Sequence, residues 1–405
     1  MRRTFHSHWI RPWIRTTRFD SNHQKVLKAK TICDIITTVE SYPTDRPQEV
    51  HSMEQLKFVI FSDFHYKKGM YASTVDHMKQ ILTRARETGA SFVIHCGDFC
   101  NDYSGSPELI RAYLQNPQGL AVYGVYGNHE LESDANSMQT VTPLLCNREV
   151  IWGTRDGTIG DGSIAYYYTD IGAFRLIGLD TNYSLTPDEA WQHNTTCSWG
   201  PPSINHRPNS LGDEQLAWLA RILDDAAEKG LHCMLFSHGS FCRSWRPEAD
   251  TDAVQALCSA VNKKRPGTVI AMWNGHYHTN HHCVQDGILY WDVNTTINGE
   301  WIPERIPHYS EGQTFDYIEY DADGRETDRY ARDLTELWMS GNTWYFCDPL
   351  SAVVTVSEDG HIRVEGSKTE WVYGILPPAR PAGTGCEPDI SDEPEISDFD
   401  GKVFS

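Results

Sequence analysis

The segment WNGHYHTNHH (273–282) places four histidines within seven positions: His276, His278, His281 and His282. Imidazole nitrogens bind transition metals and exchange protons near neutral pH. Taken alone, the four histidines are compatible with a surface metal-binding tract, with a chance cluster, or with one part of a larger site. The third reading requires ligand-type side chains elsewhere in the chain.

Such side chains follow four other apolar stretches. Each fragment alone is a weak signal, because an Asp-x-His or a histidine after a strand occurs often by chance. Their appearance in order, each directly after an apolar stretch, is much more specific. Together with the histidine-rich segment, the fragments contribute two Asp, one Asn and five His: SDFH (62–65), GD (97–98), GNHE (127–130), SHG (237–239) and GHYH (275–278).

The apolar stretches predict the elements that position these residues. Short runs rich in β-branched and aromatic residues predict buried strands, and amphipathic segments between them predict helices. The carboxyl ends of strands in open α/β sheets are where ligand sites assemble. We therefore predict an α/β fold with mixed sheets, with strands over 57–63, 91–98, 120–130, 149–180, 232–239, 268–276 and 287–294 and helices over 73–89, 211–230 and 251–264.

The motifs DFH, GDFCND, GNHE, SHG and GHYH resemble the signature series of the calcineurin-like metallophosphoesterases, in particular their bacterial-type phosphatases and phosphodiesterases. The series spans residues 63–278, and the resemblance extends over about 57–320. It implies a four-layer αββα sandwich of two mixed β-sheets with a dinuclear metal centre. To this fold we add a small C-terminal β appendage, because residues 351–375 read as strands joined by an Asp-Gly turn.

The resemblance also implies roles for individual residues. One metal would be held by Asp63, His65, Asp98 and His278, and the other by Asp98, Asn128, His238 and His276, with Asp98 bridging the two. His129 would be the catalytic residue, protonating the leaving oxygen as general acid. Glu130 is expected to support the site or to begin a helix rather than to act as a catalyst, and His281 and His282 are not required by the pattern.

These residue types suit hydrolysis of a phosphoester by a dinuclear-metal-activated hydroxide. Two cations about 3.5–4 Å apart clamp phosphate oxygens and acidify water. The mixture of imidazole nitrogen with carboxylate and amide oxygen favours two divalent or trivalent transition metals, of which Mn, Fe and Zn rank first, over Mg or Ca.

Two departures from the family pattern bear on the substrate. The protein Ser/Thr phosphatase branch has an arginine in its second motif and another after GNHE, whereas this chain has GDFCND and GNHELES. Fewer cationic side chains favour phosphodiesters or small organic phosphates over phosphoproteins. An Asp that orients the general acid in some members is replaced by Asn101, with Asp102 one position further.

Two other functions stay open: a non-catalytic metal- or phosphate-binding module of the same fold, and a nuclease acting on short oligonucleotides. The formal net charge of −20 argues against duplex nucleic acid as a partner. We expect a small phosphorylated substrate instead. The sequence carries no signal for oligomeric state.

Cysteine usage and hydropathy indicate the compartment. The 11 cysteines form no Cys-x-x-Cys pair and are scattered along the chain, which favours a reducing environment. No apolar run approaches the about 18 residues that a membrane span needs. We therefore predict a cytoplasmic protein without membrane contact.

Domain boundaries follow from composition. Residues 1–52 hold nine Lys/Arg against five Asp/Glu. We expect Met53 to be the natural start, with residues 1–52 either a disordered extension or an upstream segment that is not part of the native protein. We expect the metallophosphoesterase domain over 53–340, the β-rich appendage over 341–376, and an acidic, Pro-rich, disordered tail over 377–405. Segment 185–210 is expected to form part of the substrate rim, with Trp191, Trp199 and His206 as candidates either for substrate contact or for packing the loop onto the domain, and segment 295–313 is a candidate for the opposite wall.

Overall fold

A computed structural model describes most of the predicted domain. The predicted extension 1–52 lies outside the described residues. These are 55–66, 73–131, 135–185, 191–193, 210–242, 250–296, 314–320, 326–333, 346–371 and 394–404.

The described residues alternate strands and helices along the chain. The helices are α1 (Val75–Glu87), α2 (Pro107–Leu114), α3 (Met138–Val141), α4 (Gly212–Lys229) and α5 (Thr251–Lys264). The strands are β1 (Gln55–Phe61), β2 (Phe92–His95), β3 (Ala121–Gly124), β4 (Ile151–Trp152), β5 (Tyr167–Ile171), β6 (Phe174–Gly178), β7 (Tyr183–Leu185), β8 (Trp191–His193), β9 (His232–Phe236), β10 (Val269–Asn274), β11 (His281–Gln285), β12 (Ile288–Asp292), β13 (Thr314–Tyr320), β14 (Glu326–Asp333), β15 (Ala352–Ser357), β16 (His361–Glu365) and β17 (Phe399–Lys402).

Most of the strands form two mixed sheets. The first has the order β17-β16-β15-β1-β2-β3, in which β1, β2 and β3 are parallel. The second has the order β11-β12-β10-β9-β6-β5-β4, in which β6, β9, β10 and β12 are parallel. Two further hairpins, β7-β8 and β13-β14, pair separately.

Three apolar clusters define four layers. The central cluster lies between the two sheets and includes Phe58, Phe92, Phe236 and Trp273. A second cluster packs α1 and α2 on the outer face of the first sheet. A third packs α4 and α5 on the outer face of the second sheet. The predicted four-layer αββα sandwich is confirmed, and apolar burial of this extent is the main term that stabilises it.

Local signals explain where the long helices begin and end. Thr74 caps α1 in a reciprocal capping box with His77, which satisfies orphan backbone donors at the helix start. Helix α4 ends at Gly230, whose φ of 74° is left-handed. Helix α2, with Pro107 at its first position, is not predicted from the sequence, because its eight residues are too few to show a clear helical period. No helix of the described residues is long and apolar enough to cross a membrane.

The C-terminal segments differ from the prediction. Strands β15 and β16 exist, but β15 pairs antiparallel with β1 and so extends the first sheet rather than standing apart as an appendage. The disorder predicted for 377–405 is wrong for Phe399–Lys402, because β17 pairs with β16. Without β17, strand β16 would be an unpaired edge of the sheet. Local composition carries no information on such long-range pairing, so it could not predict the strand.

Candidate metal centre

All seven predicted metal ligands follow strand ends at one edge of the two sheets. Asp63 and His65 follow β1, Asp98 follows β2, and Asn128 follows β3. His238 follows β9, and both His276 and His278 follow β10. The five strands are parallel members of their sheets, so their carboxyl ends converge.

The backbone at these strand ends is unusual. Among the described residues, six non-glycine positions have a left-handed φ, and five of them are predicted ligands. Such a φ costs about 1–2 kcal/mol for an L-residue and tends to occur at functional sites. The five values lie between 49° and 74°, at Asp63, His65, Asp98, His276 and His278.

The first cluster surrounds Asp63. Nε2 of His278 lies 3.2 Å from Oδ1 of Asp63 and 3.0 Å from Nε2 of His65. Nε2 of His65 lies 3.6 Å from Oδ2 of Asp98. Four potential ligand atoms therefore face one small volume.

The second cluster shares Asp98 with the first. Oδ2 of Asp98 lies 3.1 Å from Nε2 of His238. The same Nε2 lies 3.1 Å from Oδ1 of Asn128 and 3.1 Å from Nδ1 of His276. A carboxylate that contacts both clusters is placed to bridge two ions.

The electrostatics of the residues fit cations. Burial lowers the pKa of His65 and of His276 to about 3, so both imidazoles are neutral and keep a lone pair for a ligand. Burial also opposes the charged form of His238, but the carboxylates of Asp98 and Asp63 outweigh it and raise its pKa to about 10. A metal ion would take over the positive charge that these carboxylates require.

Hydrogen bonds fix the orientation of three ligands. Oδ1 of Asn101 lies 3.0 Å from Nδ1 of His65, and the carbonyl of Cys96 lies 2.8 Å from Nδ1 of His238. In both rings the outer nitrogen is thereby engaged, and Nε2 faces the cluster. The backbone N–H of His276 donates to both carboxylate oxygens of Asp63, at 3.1 and 3.0 Å.

Glycines allow the strand ends to approach. A Cβ at Gly127 would lie 2.0 Å from Oδ1 of Asp98. A Cβ at Gly275 would lie 2.0 Å from Oγ of Ser62 and 2.6 Å from Oδ2 of Asp63. The glycines of GNHE and GHYH are therefore required by the packing of the ligand carboxylates.

Glu130 anchors two of the ligand turns. It is fully buried, and it accepts hydrogen bonds from the backbone N–H groups of Asp98, Phe99 and Gly127. Burial, with a further contribution from Asp98, raises its pKa to about 8. Its position fits the expected supporting role rather than a direct one.

His129 lies beside the shared carboxylate. Its backbone N–H donates to Oδ1 of Asp98 at 2.9 Å, and its Nε2 lies 3.9 Å from Oδ2. Its ring meets that of His65 edge-on, with centroids 4.8 Å apart. It is buried, with 9% of its surface exposed, and its ring nitrogen lies in one group with ligand atoms of His65 and Asp98.

The family model for calcineurin-like phosphoesterases matches residues 56–278, which is more than half of the chain. The chain belongs to this family. The structure brings all seven predicted ligands of the phosphoesterase together, and their binding of metal stays a prediction.

Solved structures that resemble the phosphoesterase do so remotely. A dimetal phosphatase from Danio rerio has 15% identity and a TM-score of 0.47, with 77% of this chain and 95% of that one covered. A putative 5′-nucleotidase from Staphylococcus aureus has 16% identity and a TM-score of 0.40, with 78% and 54% covered. The phosphopantetheinyl hydrolase of Mycobacterium tuberculosis has 14% identity and a TM-score of 0.29, with 64% and 99% covered. No curated protein matches the chain.

The expected walls of the phosphoesterase site are described only in part. Trp191 begins β8, whereas Trp199, His206 and residues 297–313 lie outside the described residues. Sequence reasoning missed the contact of His193, whose Nε2 lies 2.9 Å from Oδ2 of the buried Asp180. It also missed Thr295, whose hydroxyl donates to the carbonyl of Asp63 at 2.8 Å. Neither residue belongs to a motif, so no local signal pointed to them.

Proposed function

We propose that this phosphoesterase hydrolyses phosphodiesters or small organic phosphates, with His129 as general acid. The observation that supports it best is the arrangement around Asp98. One carboxylate lies between two clusters of ligand atoms and also accepts the backbone hydrogen bond of His129. The predicted metal ligands and the candidate acid are thereby joined through one carboxylate.

The residues of the site would have different roles in such a reaction. Two metal ions bound here would polarise phosphate oxygens and lower the pKa of water. The seven ligands hold the ions, and Asn101 and Glu130 fix ligand positions. His129 is placed to give a proton to the leaving oxygen, since an imidazole is an efficient acid near neutral pH.

The preference for diesters follows from charge. The second and third motifs read GDFCND and GNHELES, without the arginines that the protein phosphatase branch has in these two motifs. A monoester dianion needs more positive charge than a diester monoanion. Small substrates are preferred over long nucleic acids because the chain carries a net charge of −20.

A non-catalytic binding module is the less favoured function. Such a module would be free to lose a ligand or the acid, whereas the seven ligands and His129 are all present and assembled. A cytoplasmic location is proposed from the 11 scattered cysteines without a Cys-x-x-Cys pair.

The test compares bis-p-nitrophenyl phosphate with p-nitrophenyl phosphate, using the full chain loaded with Mn²⁺ and a chelator-treated control. We expect chelator-sensitive hydrolysis of both, faster for the diester. A higher rate for the monoester would reverse the substrate preference. The same assay is repeated with protein loaded with Fe or Zn. If the protein binds two metals but hydrolyses neither ester with any of these metals, the non-catalytic binding module becomes the better function.

A further inference from the structure

A second group of metal-ligand side chains lies outside the dinuclear centre. Cys242 lies on the segment after β9, His281 and Cys283 lie on the edge strand β11, and Asp292 is the last residue of β12. His281 and Cys283 are two positions apart on a strand, so their side chains face the same side of the sheet. Asp292 is directly opposite His281 in the β11–β12 ladder.

The donor atoms of this group converge. Sγ of Cys242 lies 3.4 Å from Sγ of Cys283, and Nδ1 of His281 lies 3.0 Å from Oδ2 of Asp292. One ligand atom each from Cys242, His281 and Asp292 lies within 4.8 Å of the other two. Cys242 and Asp292 are each 1% exposed.

Asp292 carries an independent sign of a missing ligand. Its second carboxylate oxygen, Oδ1, is buried and has no hydrogen-bond partner. A buried carboxylate with an unsatisfied oxygen is costly. Asp292 also has a hydrogen bond with the Ser240 side chain, and His281 has one with Cys242. The contact with Nδ1 of His281 is made by Oδ2, and Oδ1 still has no partner.

The alternation of side chains along β11 accounts for the two histidines that the dinuclear pattern does not use. His282 faces the interior between the sheets, where its ring stacks on Trp291 with centroids 4.3 Å apart. His281 and Cys283 face the other way, toward the helix-covered side that contains Cys242 and Tyr290. The alternation of the strand thus separates a packing histidine from a ligand-type one.

We propose that Cys242, His281, Cys283 and Asp292 bind a third metal ion of the zinc class, separate from the dinuclear centre. Two thiolates, an imidazole and a carboxylate are a donor set for tetrahedral Zn²⁺. Two thiolates at the Zn–S distance of about 2.3 Å would have their sulfurs about 3.8 Å apart, which the observed separation approaches. A disulfide would instead require about 2.05 Å.

The ion would be structural, because the four donors fill a tetrahedral shell. It would join the segment after β9 to the edge of the second sheet. That segment also carries His238, four residues before Cys242. The third ion would therefore hold in place the base of a predicted ligand of the dinuclear centre without taking part in it.

Cobalt substitution tests this site separately from the dinuclear one. None of the seven dinuclear ligands contains sulfur, so a thiolate-to-cobalt charge-transfer band in the near ultraviolet reports only on the cysteine group. With full-length protein produced in cobalt-supplemented medium, we expect this band in the wild type and in Asp98→Asn. We expect its loss in Cys242→Ala and its retention in the control Cys258→Ala, another buried cysteine of the same apolar cluster.

Metal content and thiol chemistry complete the test. Zinc-grown Cys242→Ala should contain one equivalent of zinc less than Cys258→Ala by elemental analysis. If Cys242→Ala does not fold, Cys283→Ser on the half-buried edge strand replaces it. The proposal is overturned if wild-type protein with reduced thiols shows no charge-transfer band, if the band survives both substitutions, or if a Cys242–Cys283 disulfide is found by non-reducing peptide mapping.

Discussion

Asp98 and His129 are joined by a hydrogen bond from the backbone N–H of His129 to Oδ1 of Asp98, at 2.9 Å. The other oxygen of the same carboxylate lies 3.1 Å from Nε2 of His238 and 3.6 Å from Nε2 of His65. The position of the candidate acid is therefore set by the residue that links the two ligand clusters. Substitutions can separate these two functions.

Asp98→Asn should reduce the content of both metals at once. The amide keeps an oxygen that can accept from His129, but the negative charge shared by both clusters is lost. We expect metal affinity to fall by more than the roughly 10–100-fold typical of a residue that only orients a ligand. Elemental analysis after dialysis measures this.

Asp102→Asn is the matched control for Asp98→Asn. Oδ1 of Asp102 accepts from the backbone N–H of Ser104 at 3.0 Å and from its hydroxyl at 2.6 Å, and so caps a short turn near the site. Its metal content should stay at the wild-type level. Full occupancy of both sites in Asp98→Asn would contradict the bridging role.

His129→Ala should leave metal content near normal and lower the turnover of alkyl esters by roughly 10²–10⁴-fold. The reason is that His129 contacts Asp98 through its backbone N–H, which alanine retains. The measurement is the turnover number alongside metal content of the same preparation. Loss of metal from the variant would assign His129 to the ligands instead.

If His129 is the general acid, the loss of activity in His129→Ala should depend on the leaving group of the ester. The defect should be small for p-nitrophenyl esters, whose leaving group needs little protonation, and larger for alkyl esters. Equal defects for both leaving groups would indicate that His129 binds phosphate and does not deliver the proton.

Asn101→Ala should weaken the metal bound by His65. Oδ1 of Asn101 lies 3.0 Å from Nδ1 of His65, and this contact keeps Nε2 directed at the cluster. We expect a loss of about 10–100-fold in the affinity for one of the two metals, measured by competition with a chelator. Asn101→Asp keeps an acceptor and should restore most of the affinity; failure to do so would point to a packing role.

The ligand set and the four layers could be predicted from the resemblance to the family, whose motifs in this chain each lie directly after an apolar strand. The carboxyl ends of parallel strands lie at one edge of a sheet, so the motifs come together whatever the conformation of the connecting loops. The contacts that orient the ligands could not be predicted from the sequence. Glu130 acts through three backbone N–H groups, and Thr295 reaches Asp63 from a distant part of the chain.

The C-terminal strands were misplaced for a related reason. The pairing of β15 with β1 joins residues nearly 300 positions apart, and hydropathy patterns carry no information on such partners. The acidic, Pro-rich composition describes the segment 377–405 as a whole, so it does not indicate that the four residues Phe399–Lys402 pair as a strand.

Gly127→Ala should disrupt the metal centre through packing alone. The added Cβ would lie 2.0 Å from Oδ1 of Asp98 and 2.3 Å from its backbone nitrogen, so the backbone of one strand end must move. Overpacking of this kind costs about 1–3 kcal/mol, and displacement of Asp98 should also lower the content of both metals. Urea unfolding and elemental analysis measure the two effects.

Gly119→Ala is the control, because its Cβ meets no atom within 4 Å and its left-handed backbone alone costs about 1–2 kcal/mol. The control should lose stability and keep its metal, whereas retention of both metals by Gly127→Ala would show that the strand ends have more room than the contacts indicate.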